Sequence, residues 1–223
     1  MTRLGSWLVA RWWRVAAWLA VLLGMNRRAL ELYEQIVARE PHSRIARATV
    51  GNLQAELGDK RAAIATFTEL VARHPKDADS WFNLGFLHEA CDDVEPAERA
   101  FRRAIALDDK LDRAWYGLGL VLIRTGRLAE AIPVLKKNTE LQPFSPYGFY
   151  QLGMTYHHLG RRDDAWRTVE TLKKFEPRYA ATLKRDLENT RSRSADGGAA
   201  AAGAAPLDPT SHRLEKEAIA TPI

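Results

Sequence analysis

The sequence predicts an all-α solenoid built from helix-turn-helix units, and three observations carry that prediction. A pattern best seen from Trp81 to Asp109 returns every 34 residues; glycines recur where a first helix has to close; prolines recur where a second helix has to stop. An aromatic stands at Trp81, Trp115 and Phe149, a glycine four residues later at Gly85, Gly119 and Gly153, and a small residue at Ala97, Ala131 and Ala165. Upstream the phase continues through Gly51, Ala63 and Phe67, and the stops are Pro75, Pro143 and Pro177.

Helix-hairpin packing gives each residue type its reason. The glycine of the first helix and the alanine of the second are expected where the two backbones approach, because a larger side chain at either place would overpack the contact. The aromatic is expected to fill the space between units. Gly58, Gly126 and Gly160 fall where the first helix ends, and glycine takes the left-handed conformation that closes it. Proline then ends the second helix, since it cannot continue the hydrogen-bond ladder.

This spacing resembles the tetratricopeptide repeat family, whose W-x-x-L-G pattern is matched at Trp81, Leu84 and Gly85 and again at Trp115, Leu118 and Gly119. The resemblance covers residues 44–177. It implies a right-handed α-α superhelix acting as a protein-binding scaffold or adaptor. Departures are Arg47 in the aromatic slot, His88 and Leu122 in place of a tyrosine, and Asp109 in place of a proline.

Taken in order, residues 1–26 form a hydrophobic helix rich in Trp and Arg, holding four of the seven tryptophans. At 100° per residue, Arg3, Trp7, Arg11, Arg14 and Trp18 share one narrow stripe, with Leu8, Val9, Trp12, Ala16, Leu19, Ala20 and Leu23 around the rest. Three readings apply. A membrane span needs about 20 uninterrupted apolar residues, and two arginines interrupt this stretch. A cleavable signal peptide lacks its small-x-small site before Asn26. Counting back one period instead places Trp13 in the aromatic slot, Ala17 in the glycine slot, Gly24 in the turn, Ala29 in the small slot and Pro41 at the stop. Residues 10–43 then read as another unit, with 27–43 its second helix.

The end unit of a solenoid is normally polar on its outer side, because an exposed core face aggregates. Here the outer side is expected to present Trp7, Leu8, Trp12, Trp18, Leu19 and Leu22 beside Arg11 and Arg14, so something has to cover it. A membrane surface or a membrane protein is the expected contact, with attachment through an amphipathic helix. The alternative is a soluble subunit whose N-terminal helix is buried in a stable complex or a homodimer. The Ala- and Arg-rich composition fits a bacterial protein, placed at the inner membrane on its cytoplasmic face.

Four full units are expected at 44–77, 78–111, 112–145 and 146–179. The family resemblance implies a concave groove lined by the first helices. Carried onto this chain it offers Asn52; then Phe82, Asn83 and Phe86; then Arg113, Tyr116 and Leu120; and last Tyr147, Tyr150, Gln151, Met154 and His157, with His158. This lining is aromatic and sparsely charged, which suits an extended peptide or an amphipathic helix with apolar anchors. Some family members clamp the C-terminal carboxylate of a chaperone. Asn52, Asn83 and Arg113 match that clamp, but Ala48 and Gly117 stand where it needs two more cations, so chaperone docking is not expected.

The net charge of +5 does not indicate nucleic acid. Residues 1–28 hold five arginines and no acid, and the remaining 28 basic residues balance the 28 acidic ones. A basic stripe along the repeats is thus not supported. Catalysis is not expected either. His157 and His158 are adjacent, so on a helix they diverge by about 100° and share no metal. His88, Glu89 and Cys91 sit where the pattern accepts any small residue at the cysteine. No cofactor or metal is expected. Residues 180–191 read as a polar capping helix, with Tyr179 and Leu183 toward the last unit, and 192–223 as a disordered tail opening on a small-residue linker.

Overall fold

A computed structural model describes residues 3–195, with side chains described from 12 to 189. The described residues are helical and fall into two compact units. The first holds α1 (Arg3–Leu22), α2 (Asn26–Arg39), α3 (Arg44–Glu56), α4 (Lys60–Arg73), α5 (Ala78–Ala90) and α6 (Val94–Leu107). The second holds α7 (Asp112–Arg124), α8 (Leu128–Leu141), α9 (Pro146–His158), α10 (Arg162–Lys173) and α11 (Pro177–Ala195).

The period survives in the helix starts. First helices open at 44, 78, 112 and 146, and second helices at 26, 60, 94, 128 and 162, each 34 residues after the last. The turns between them share one geometry. Gly24, Gly58, Gly126 and Gly160 have φ of 69°, 88°, 73° and 72°. The next residue then donates its N–H to a carbonyl five residues back, as Asp59 does to Gln54 at 2.9 Å and Arg161 to Tyr156 at 2.9 Å. This is the Schellman closure, which satisfies carbonyls the helix would otherwise leave orphaned. Asp92 takes the same left-handed place at φ 65°, a conformation a short polar side chain tolerates better than other non-glycine residues.

Within the first unit, α1 packs on α2, α2 on α3, and so on through α6. One cluster joins Ala17, Ala20, Ala29, Leu32, Ile36, Ala46 and Leu53, and a second joins Ala63, Phe67, Leu70, Val71, Leu84 and Leu87. Trp13 packs against the first cluster, with the Arg39 guanidinium 5.0 Å over its ring. Within the second unit α11 packs on both α9 and α10.

Three features differ from the sequence expectations. The recurring alanines are fully buried, but they do not by themselves fill the space facing the glycines. A Cβ on Gly51 would meet Phe67 Cε2 at 2.6 Å, one on Gly85 would meet Phe101 Cδ1 at 2.9 Å, and one on Gly119 would meet Leu135 Cδ2 at 2.6 Å. The large side chain comes sixteen residues after the glycine, one turn beyond the alanine. At Gly153 that slot holds Val169, and the space is taken by Leu183 of α11 at 2.6 Å.

The aromatic slot is a donor position as much as a filler. Trp81 Nε1 donates to the Pro75 carbonyl at 3.1 Å, and Trp115 Nε1 to the Asp109 carbonyl at 2.8 Å. Arg47, in the same slot one unit earlier, donates through Nη2 to the Pro41 carbonyl at 3.1 Å and pairs with Glu69 at 2.8 Å. Phe149 has no N–H to give, and Phe175 packs edge-on to it at 5.4 Å and to Phe144 at 6.0 Å.

The C-terminal helix is longer than 180–191. Pro177 does not stop a helix: α10 ends at Lys173 and Pro177 opens α11, since a first-turn proline forfeits no intrahelical bond. Residues 192–195, expected in the tail, belong to α11, and 196–223 lie outside the described residues.

Candidate protein-interaction surfaces

The first helix of each hairpin turns one side to its second helix and leaves another for contact. In the first unit this second side carries Asn52, exposed on α3, and Asn83 and Phe86, half-buried on α5. Phe82 is not available there. It is 2% exposed, stacked on Phe86 at 6.4 Å and tilted against Phe101 at 6.0 Å, so it ties α5 to α6. Ile45, absent from the expected lining, is 71% exposed on α3. Its signal was in the sequence, because it occupies the slot that gives Arg113 and Tyr147 two and three units later.

In the second unit, Arg113 and Leu120 on α7 and Tyr147, Tyr150, Met154 and His157 on α9 are half-buried. Tyr116 and Gln151 are buried and serve packing, a correction to their place in the lining. α11 takes two further contacts for itself. Tyr147 lies edge-on to Tyr179 at 5.6 Å, and the Tyr150 hydroxyl donates to Asp186 Oδ2 at 2.8 Å. The surface left around Leu120, Met154 and His157 is narrower than expected from the pattern.

The electrostatics here are muted. Burial holds the His157 imidazole below the ordinary histidine value, helped by His158 and Arg162 nearby, and partial desolvation of the ring does the same to His158, although that residue is exposed as a whole. The two rings lie 5.9 Å apart and tilted. Among the described residues no three His, Cys, Asp or Glu side chains gather as a metal would require. His88 Nδ1 sits 3.2 Å from Asp93 Oδ2, and the Cys91 N–H closes α5 on the Leu87 carbonyl at 3.1 Å.

A second surface lies at the N-terminus. α1 buries Ala17 and Ala20 against α2 and turns outward Trp12, Val15, Trp18, Leu19 and Leu22, and Leu23 follows at its end, with Leu22 65% and Leu23 68% exposed. Arg14 is exposed and pairs with Glu40 at 2.6 Å. The side chains of Trp7, Leu8 and Arg11 lie outside the described residues. No helix of the described residues is long and apolar enough to cross a membrane.

Two models of the tetratricopeptide repeat family match the chain, at residues 20–85 and 92–146. Comparison with curated proteins gives no significant match. Among solved structures, the MamA protein superposes with a TM-score of 0.69 at 23% identity, over 77% of this chain and 94% of that one. YrrB, described as a TPR protein with an unusual peptide-binding site, gives 0.65 at 22% identity over 76% of this chain and 88% of that one. A tetratricopeptide repeat protein from Parabacteroides merdae gives 0.73 at 18% identity over 84% and 75%. At these identities the likeness is one of fold, and together with the family matches and the 34-residue helix register it carries one conclusion: the chain belongs to the tetratricopeptide repeat family.

Proposed function

We infer that the protein is a binding scaffold, not a catalyst, which takes a peptide or helical segment of a partner on the open side of its first helices. The observation that supports this most is Ile45, a large aliphatic residue left 71% exposed beside Asn52 on α3, where packing asks for neither. Phe86, Leu120 and Met154 extend the same character on their own helices as half-buried apolar side chains. Apolar anchors with a few amides nearby suit a segment that contributes aliphatic or aromatic side chains and main-chain polar groups. The peptide-binding description of the structurally similar YrrB is consistent with this mode.

The test is a displayed-peptide selection on the full chain, followed by binding of the selected peptides to two variants. Ile45→Glu and Asn52→Ala change exposed positions and are expected to weaken binding at least tenfold with an unchanged melting curve. Selected peptides that bind both variants like the wild type would sink the assignment.

The exposed apolar side of α1 supports a second contact in the same protein. It holds the scaffold to a membrane surface or a membrane protein, the alternative being burial in a stable complex or homodimer. Either way the N-terminal helix fixes where the scaffold acts, and the repeats choose what it gathers.

A further inference from the structure

We propose that α1 lies in the plane of an anionic lipid bilayer, its outward arc among the acyl chains and α2 on the aqueous side. This rests on the reading of α1 as a contact surface and commits that surface to one occupant.

The geometry of the helix carries the proposal. At 100° per residue, Trp18, Leu22, Val15, Leu19 and Trp12 cover an arc of roughly 120°. The buried Ala17, Ala20 and half-buried Trp13 occupy the side facing α2, close to opposite the centre of that arc. α1 is thus sandwiched with its protein contact on one side and its uncovered face on the other. A helix lying in an interface needs that division, with the apolar face sunk at the headgroup boundary.

Arg14 falls at the edge of the arc, on the side of Trp18, and the Trp12 and Trp18 indoles suit the headgroup layer, where an apolar ring with one polar N–H is favoured. The apolar surface does not end with the helix. Leu23 and Met25 continue it around Gly24, whose φ of 69° reverses the chain at once. Arg27 and Arg28 therefore return within one turn of the apolar tip, Arg28 paired to Glu31 at 2.6 Å and Arg27 exposed.

Charge decides between occupants. Residues 1–28 carry five arginines and no acid. Arg14 and Arg28 already pair with Glu40 and Glu31, and two copies meeting through this face would still bring the other three arginines of each, six like charges, together without one carboxylate from the same segment to answer them. Anionic headgroups supply that answer, and each arginine near such a surface strengthens binding about fivefold.

The test is flotation of the full chain with vesicles of phosphatidylcholine alone and of phosphatidylcholine mixed with phosphatidylglycerol, at low and high salt. The expected result is flotation with the mixed vesicles, weakened by salt. Arg27→Gln should lower the affinity about fivefold. Leu19→Glu with Leu22→Glu, both at exposed positions, should lower it at least a hundredfold with the circular dichroism melt unchanged. Equal flotation with neutral vesicles would overturn the anionic occupant while leaving a membrane contact. No flotation by a chain that native membranes retain would overturn it in favour of a membrane protein. No flotation with a doubled mass by light scattering would overturn it in favour of a second copy. Peptide binding, measured on the same variants, reports on the repeats alone and separates failure of this proposal from failure of the scaffold reading.

Discussion

Gly51→Ala adds one methyl group to α3 and isolates a glycine-to-ring contact of the repeats. The new Cβ would stand 2.6 Å from Phe67 Cε2 and 2.9 Å from Cδ2, where an ordinary contact is about 3.4–4 Å. Relief therefore requires the ring or α3 to move by roughly 1 Å. Phe67 is fully buried among Leu70, Val71, Leu84 and Leu87, so the ring has no empty space to enter. Overpacking of this kind costs about 1–3 kcal/mol. Against it, alanine in a helix interior gains about 1 kcal/mol over glycine. With two ring atoms under 3.0 Å the overpacking cost falls in the upper half of its range, so the net expectation is destabilisation of about 1–2 kcal/mol, which lowers the melting temperature of a chain this size by about 2–8 °C. Thermal and urea melts followed by circular dichroism measure it. Pairing the change with Phe67→Leu, which removes the offending ring edge, should cost less than the two single changes added together. A Gly51→Ala protein that melts at or above the wild type would refute the packing account, since helix propensity alone would then decide the sign.

Two further outcomes follow from the second unit. Leu183→Ala empties the space facing Gly153 and should cost about 2–5 kcal/mol, read as lost hydrogen-exchange protection of the α11 amides; Gly153→Ala in that background should recover part of it. The His157 and His158 rings, held below the ordinary value of 6.5 chiefly by burial, bind protons less readily folded than unfolded. The stability this contributes is present above 6.5 and is lost as pH falls through the lower folded values, so the melting temperature should drop as pH falls below 6.5, and His157→Asn with His158→Asn should flatten that drop.

The repeat register was legible in the sequence because it depends on residue types with single uses. A glycine that closes a turn, or an alanine wedged between helices, has few substitutes, and Gly24, Gly58, Ala97 and Ala131 stand where the period put them. The contact surface was less legible. Position in a repeat says which way a residue's Cα–Cβ bond sets out, but not whether a long side chain folds back. Phe82 folds back because Phe86 and Phe101 offer it rings to lie against, and Tyr116 and Gln151 are likewise enclosed. Compensation at a distance was hidden too. Val169 looks adequate in its slot, and only the folded chain shows Leu183 arriving from the next helix to complete it. Pro177 misled for a related reason: proline ends one helix and begins the next with the same ring, and only the loop length decides which.

The loops that precede first helices are held by two different kinds of clamp. Before α3, α5 and α7 a side-chain N–H from Arg47, Trp81 or Trp115 grips a loop carbonyl; before α9 the rings of Phe144, Phe149 and Phe175 grip one another. Apolar contacts lose strength on cooling, whereas a hydrogen bond has no comparable dependence. The connection into α9 is thus expected to be the most cold-sensitive of these four. Near freezing it should loosen ahead of the other three, although at warm temperatures nothing in its behaviour would single it out.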